Sequence, residues 1–85
     1  MSEKYCQVLM KAVNTGEGID LKSVGAWNTK KELTDYLKDE IRRKYADGGS
    51  LVVDLQEQME DDIFHGDKWQ ESDSVQWLTF KTLVH

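Results

Sequence analysis

Residues 29–45, TKKELTDYLKDEIRRKY, decide the fold of this chain, because they combine a helix start, an apolar stripe and a helix end. Thr29 and Glu32 have the spacing of a capping box, in which the threonine side chain accepts a hydrogen bond from the Glu32 amide. Apolar residues then recur at the spacing of one helix face, at Leu33, Tyr36, Leu37, Ile41 and Tyr45. Basic residues fill the last turn, and the glycines at 48 and 49 end the helix. We therefore predict an amphipathic helix that packs its apolar stripe on a sheet.

Two strands are predicted on the N-terminal side of this helix. Residues 5–13 and 19–27 both alternate in polarity, and a turn with two glycines over residues 14–18 separates them. This pattern is typical of a β-hairpin. Gly25 inside the second strand indicates a bulge or a close approach of another backbone segment.

The C-terminal side is less regular. Residues 50–55 alternate as a strand does, but residues 52–63 also have helical spacing, and we interpret the segment as a strand over 50–55 followed by a helix over 56–65. A polar loop over 67–74 leads to a last strand over 75–84, which is partly apolar on both faces and therefore belongs inside the sheet. The predicted fold class is α+β: a small antiparallel or mixed sheet of order β-β-α-β-(α)-β, covered by one main helix.

Length and composition limit the class of protein. Eighty-five residues make a single domain, spanning 1–85. The single cysteine, Cys6, excludes an internal disulfide and fits a reducing cytoplasm, where we expect the protein to reside. No charged-then-apolar leader begins the chain, and no apolar run has the roughly 18–20 residues that a membrane span requires, so we expect no membrane association.

Charge is distributed unevenly along the chain. Residues 1–53 carry nine Lys and Arg against eight acids, whereas residues 54–85 carry two lysines against eight acids. Such an acidic C-terminal third repels nucleic acid and attracts a basic surface.

The acidic segment is the predicted partner-binding site. Its carboxylates surround two aromatic residues that can anchor a complex, and charge of this kind speeds the encounter between two proteins. The predicted binding residues are Asp54, Glu57, Glu60, Asp61, Asp62, Phe64, Asp67, Trp69, Glu71 and Asp73. An alternative for Trp69 is that it packs over the sheet.

Residues with catalytic or metal-binding chemistry form no recognisable motif. Cys6 lies on an apolar strand face, where a buried structural thiol is the simpler interpretation. Asp61 and His65 are four apart on the predicted helix, which is a weak metal-binding signal, and a histidine that interacts with the dipole near a helix C-terminus is the favoured interpretation. His85 is expected to be frayed. We expect no catalytic site, no metal site and no cofactor.

Three functional hypotheses follow. The first is a cytoplasmic inhibitor that blocks a basic protein, such as a nuclease or another nucleic-acid-binding protein, by imitating DNA. Its size, charge and element order are similar to those of phage-encoded inhibitors of host defence nucleases, including anti-CRISPR proteins, and of immunity proteins and antitoxins. The second is a structural or oligomeric subunit, such as a homodimer, that pairs the apolar second faces of its first and last strands with another copy. The third is a weak nucleic-acid binder that uses the basic cluster at Lys38, Arg42, Arg43 and Lys44.

Overall fold

A computed structural model describes residues 4–84, so His85 lies outside the described residues. The elements in chain order are β1 (Tyr5–Asn14), β2 (Ile19–Trp27), α1 (Lys30–Lys44), α2 (Ser50–Gly66), β3 (Lys68–Gln70) and β4 (Val75–Leu83). The four strands form one sheet in the order β2-β1-β4-β3, and each neighbouring pair is antiparallel. The predicted α+β class is confirmed, and β4 lies inside the sheet as expected.

The β1–β2 hairpin has the predicted turn and an irregularity next to Gly25. Leu9 pairs with Gly25 but Met10 pairs with Ser23, so Val24 is the extra residue of a bulge. The ring of Trp27 also lies against Gly25, where an added Cβ would stand 3.0 Å from the ring. The bulge predicted at Gly25 is therefore present, whereas the group that lies close to this glycine is a side chain and not a backbone segment.

Helix α1 begins and packs as the sequence predicts. The Thr29 hydroxyl accepts a hydrogen bond from the Glu32 amide at 3.2 Å. Three apolar residues of the predicted stripe are buried in the core: Leu33, Leu37 and Ile41. The two tyrosines of the stripe are partly buried against this core.

The interpretation of residues 50–55 as a strand is wrong. They form the first turns of α2, which runs without interruption to Gly66, so the sheet is covered by two helices rather than one. The helical spacing of Val52, Met59 and Ile63 decides the outcome, because it directs these side chains to the core while Leu51 and Val53 are exposed. The segment 67–74 also holds a short strand, β3, within what was predicted as loop.

The hydrophobic core lies between the helices and one face of the sheet. The strands contribute Leu9, Trp69 and Trp77, which are paired or diagonal neighbours on the same face. On the same face, the buried Thr79 hydroxyl donates to the Gln7 side chain at 3.2 Å, so this polar pair is satisfied inside the sheet. We refer to this surface as the inner face, and to the opposite one as the outer face.

Cys6 lies on the outer face and is half-buried, so the expectation of a buried cysteine is wrong. Its face is apolar, as predicted, but no helix packs there because both helices use the residues of the inner face. Neither α1 nor α2 is long and apolar enough to cross a membrane, and no other helix occurs in residues 4–84.

Replacing Leu37 with alanine is expected to lower the free energy of unfolding by about 2–4 kcal/mol, because the side chain is fully buried between α1 and the sheet. Leu51→Ala is the matched control, since this leucine is 48% exposed and its loss should cost less than about 1 kcal/mol. Urea unfolding followed by circular dichroism measures both. Equal losses for the two variants would contradict the assignment of the α1 stripe as core.

Candidate protein-binding surface

Helix α2 gathers part of the predicted acidic site into one exposed stripe. Because Met59 and Ile63 point to the core, the residues on the opposite side of the helix face solvent. Positions i, i+3, i+7 and i+10 on that side are Asp54, Glu57, Asp61 and Phe64, and all four are exposed. We call these four residues the α2 stripe.

The carboxylates of the α2 stripe are largely free of protein cations. Within residues 4–84, Asp54 and Glu57 form no ion pair. Among the described residues, the ion-pair partner of the Asp61 side chain is the His65 ring, with Oδ1 at 2.9 Å from Nδ1, and both side chains are exposed. The negative charge of the stripe is therefore available to a partner.

Apolar side chains border the same stripe. Phe64, at the C-terminal end of the α2 stripe, is 44% exposed, and Val53, in the first turn of α2, is exposed as well. Val53 is not among the predicted binding residues, because the sequence pattern favoured a strand over residues 50–55. Its helical spacing from Glu57 was the signal that could have placed it here.

Two further acids of the predicted site are neutralised by α1. Glu60 forms an ion pair with Lys38, and Asp67 forms one with Lys30. These pairs tie α2 and the residue after it to α1, so both carboxylates contribute less to the external field than their position in the sequence indicates. Asp62 is half-buried and lines a shallow groove beside β3.

Trp69 and Asp73 also lie apart from the α2 stripe. Trp69 is 1% exposed and stands opposite Trp77 on the inner face, so its ring belongs to the core, as in the packing alternative. Asp73 lies in the turn between β3 and β4, next to Ser74, whose carbonyl accepts a hydrogen bond from the Asn14 amide. Asp73 therefore lies beside the β1–β2 hairpin.

Glu71 points inward and forms a polar cluster with three other side chains. Its side chain is 4% exposed and pairs with Lys44 at the end of α1. The Tyr45 hydroxyl donates to Glu71 Oε2 at 2.9 Å, and the Trp77 indole donates to Oε1 at 2.8 Å. The backbone of Glu71 is fixed as well, because its amide donates to the Val75 carbonyl at 2.9 Å.

The surroundings of Glu71 set its charge. Burial by itself would raise the pKa of this carboxyl, but the hydrogen bonds from Lys44, Trp77 and Tyr45 favour the ionised form, and the net effect is a lowered pKa. The pKa of Lys44 is raised, chiefly by its hydrogen bond to Glu71. The pKa of Tyr45 is raised by burial and by the same carboxylate. Glu71 is therefore an ionised structural residue that clamps the β3–β4 turn to α1.

The basic cluster of α1 is engaged in ion pairs. Lys38 and Lys44 pair with Glu60 and Glu71, as described above. Arg42 pairs with Asp39, and Arg43 lies 3.3 Å from Asp39 and also pairs with Glu40. All four cations therefore have carboxylate partners within the chain.

No group of three His, Cys, Asp or Glu side chains within residues 4–84 is arranged to hold a metal ion. The chain matches no protein-family model, no curated protein and no solved structure. The candidate surface is therefore assigned from its own residues.

Glu71→Gln is expected to lower the free energy of unfolding at about pH 7 by roughly 1–3 kcal/mol, because it removes the charge that Lys44, Tyr45 and Trp77 surround. Since the pKa of Glu71 is lowered by folding, its stabilising effect is complete above the ordinary carboxyl pKa of about 4.3 and is lost as the pH falls through the lower folded value.

The difference between wild type and Glu71→Gln should accordingly shrink between about pH 7 and about pH 3, as measured by urea unfolding at both values. Glu57→Gln, on the exposed stripe, is the control and should have little effect at either pH. An undiminished difference at low pH would show that the ionised carboxylate is not what stabilises the turn.

Proposed function

We propose that this chain is a non-catalytic protein-binding domain that docks the α2 stripe on the basic surface of a partner and inhibits the partner by covering that surface. The observation that carries the proposal is that three carboxylates and an exposed phenylalanine lie together on one exposed helix face. No lysine or arginine of residues 4–84 neutralises these carboxylates. Carboxylates of this kind steer a basic partner toward the surface, and the aromatic ring supplies apolar contact once it has arrived.

The class of partner that this surface fits best is a nucleic-acid-binding protein, such as a nuclease. Asp54, Glu57 and Asp61 span about 10 Å of helix axis, over which duplex DNA carries about six phosphates. The α2 stripe therefore offers about half the linear charge density of DNA. Binding that imitates DNA would thus depend on contacts of Phe64 and Val53 in addition to charge.

A second candidate function is that of a subunit in an oligomeric assembly. The specific observation in its favour is the outer face of the sheet, which is mainly apolar, carries one charged strand residue and is covered by neither helix. The two functions are compatible, because the outer face and the α2 stripe belong to opposite layers of the molecule.

The double variant Glu57→Lys with Asp61→Lys should abolish capture of the partner while leaving the fold intact, since both side chains are exposed. The matched control is Glu17→Lys with Asp20→Lys, which changes the net charge equally on the exposed β1–β2 hairpin. Wild-type and both variant proteins serve as bait in extracts of the source organism, and quantitative mass spectrometry identifies proteins that the wild type and the hairpin variant retain and the α2 variant loses.

Calorimetry with the purified partner then gives the size of the effect. We expect reversal of two stripe charges to weaken binding at least tenfold, or about 1.4 kcal/mol, and the wild-type affinity to fall as salt is raised. A partner whose affinity responds equally to the hairpin and α2 variants, or to neither, would rule out docking through the α2 stripe.

A further inference from the structure

The outer face of the sheet is built almost entirely from uncharged residues. Strand alternation and the observed register place fifteen strand residues on it. They are Cys6, Val8, Met10, Ala12 and Asn14 of β1, Ile19, Leu21, Ser23 and Ala26 of β2, Gln76, Leu78, Phe80 and Thr82 of β4, and Lys68 and Gln70 of β3. Lys68, on the short edge strand, is the single charged residue among them.

This face is open to solvent. Ile19 is 73% exposed, Leu21 57% and Phe80 49%, and the residues between them on β1 are half-buried only by their strand neighbours. Soluble monomers rarely expose a continuous apolar patch of more than a few hundred Å² unless it binds something. An exposed face of this kind is typical of a surface that binds a partner.

We propose that the partner on the outer face is a second copy of this chain, forming a homodimer in which two sheets stack face to face. Charge favours this occupant over a basic or an acidic protein, because none of the fifteen residues of the outer face is acidic and its one lysine lies at the edge. A mainly apolar surface with almost no charge is complemented by another such surface, and a second copy of this chain carries one.

The available area is sufficient for a specific dimer. β1, β2 and β4 are nine or ten residues long. At about 3.3 Å per residue and about 4.8 Å between strands, they present a face of roughly 14 by 30 Å, and the relief of the side chains brings its accessible area to on the order of 600 Å². Two copies would bury roughly 1,200 Å² in total, which reaches the range of specific interfaces and exceeds that of incidental contacts.

The net charge of −5 does not oppose this arrangement. Stacked sheets lie about 10 Å apart, and each copy keeps its helices on the far side of its own sheet. The acids of the two α2 helices are then separated by more than the Debye length of about 8 Å at physiological salt. The dimer would display its two α2 stripes on opposite outer surfaces, although the inference stands independently of what the α2 stripe binds.

Light scattering coupled to size-exclusion chromatography, from about 1 to about 500 µM, tests the proposal on the full chain. We expect wild type to have twice the 9.8 kDa mass of one chain. Leu21→Lys and Phe80→Lys should each raise the dissociation constant of the dimer at least about 100-fold, because each buries an unpaired charge at the interface. Phe64→Lys is the matched control, since this phenylalanine is exposed to a similar extent but lies on α2, and it should remain dimeric.

Alkylation of Cys6 gives a second readout on the same proteins. Cys6 and Leu21 lie on the outer face about six residues, or roughly 20 Å, apart along the strands. Leu21→Lys should therefore speed the alkylation of Cys6 only by separating the two copies of the dimer. Circular dichroism checks that each variant is folded.

A wild type that is monomeric throughout the concentration range would overturn the proposal. An oligomer that both outer-face variants leave intact would overturn it too, since another surface would then hold the copies together.

Discussion

Alternation along β1 and β4 sends Leu9, Trp77 and Thr79 to one side of the sheet and Val8, Leu78 and Phe80 to the other. Both sets are largely apolar, but a chain of 85 residues supplies helices for one side only. The large rings of Trp69 and Trp77 lie on the inner face, and the two helices bury them. The identity of the core, the solvent-facing side of α2 and the exposure of the outer face all depend on this one-sided coverage.

The packing of both helices on one side of the sheet also determines which acidic residues form ion pairs within the chain and which face solvent. Because α1 lies beside α2 and the β3–β4 turn, the lysines of α1 form ion pairs with Glu60, Asp67 and Glu71. Part of the acidic C-terminal third therefore holds the helices and the turn together. Glu71 is the extreme case, because its buried carboxylate joins a loop, a helix end and a core tryptophan. Asp54, Glu57 and Asp61 keep their charge exposed because helical geometry directs them away from α1 and the sheet.

Local patterns were sufficient to predict most of the fold. The N-cap at Thr29, the stripe through Leu37 and the two-sided pattern of β4 each depend on neighbouring residues along the chain, and each is confirmed. Residues 50–55 were misassigned because alternation and helical spacing coexist in a short apolar run, and only contact with the core distinguishes them. The candidate site was predicted in part, since sequence proximity of acids does not reveal that Trp69 and Glu71 turn inward.

The pairing of β1 with β4 joins segments that are roughly 60–80 residues apart, and the Val84 amide donates to the Lys4 carbonyl at 2.9 Å. During synthesis on the ribosome, the β1–β2 hairpin leaves the exit tunnel long before the strand that must lie on the other side of β1. Until β4 emerges, the nascent chain holds an incomplete sheet with β1 as an unprotected edge. The complete sheet can therefore form only after β4 has been made, when the two ends of the described chain meet.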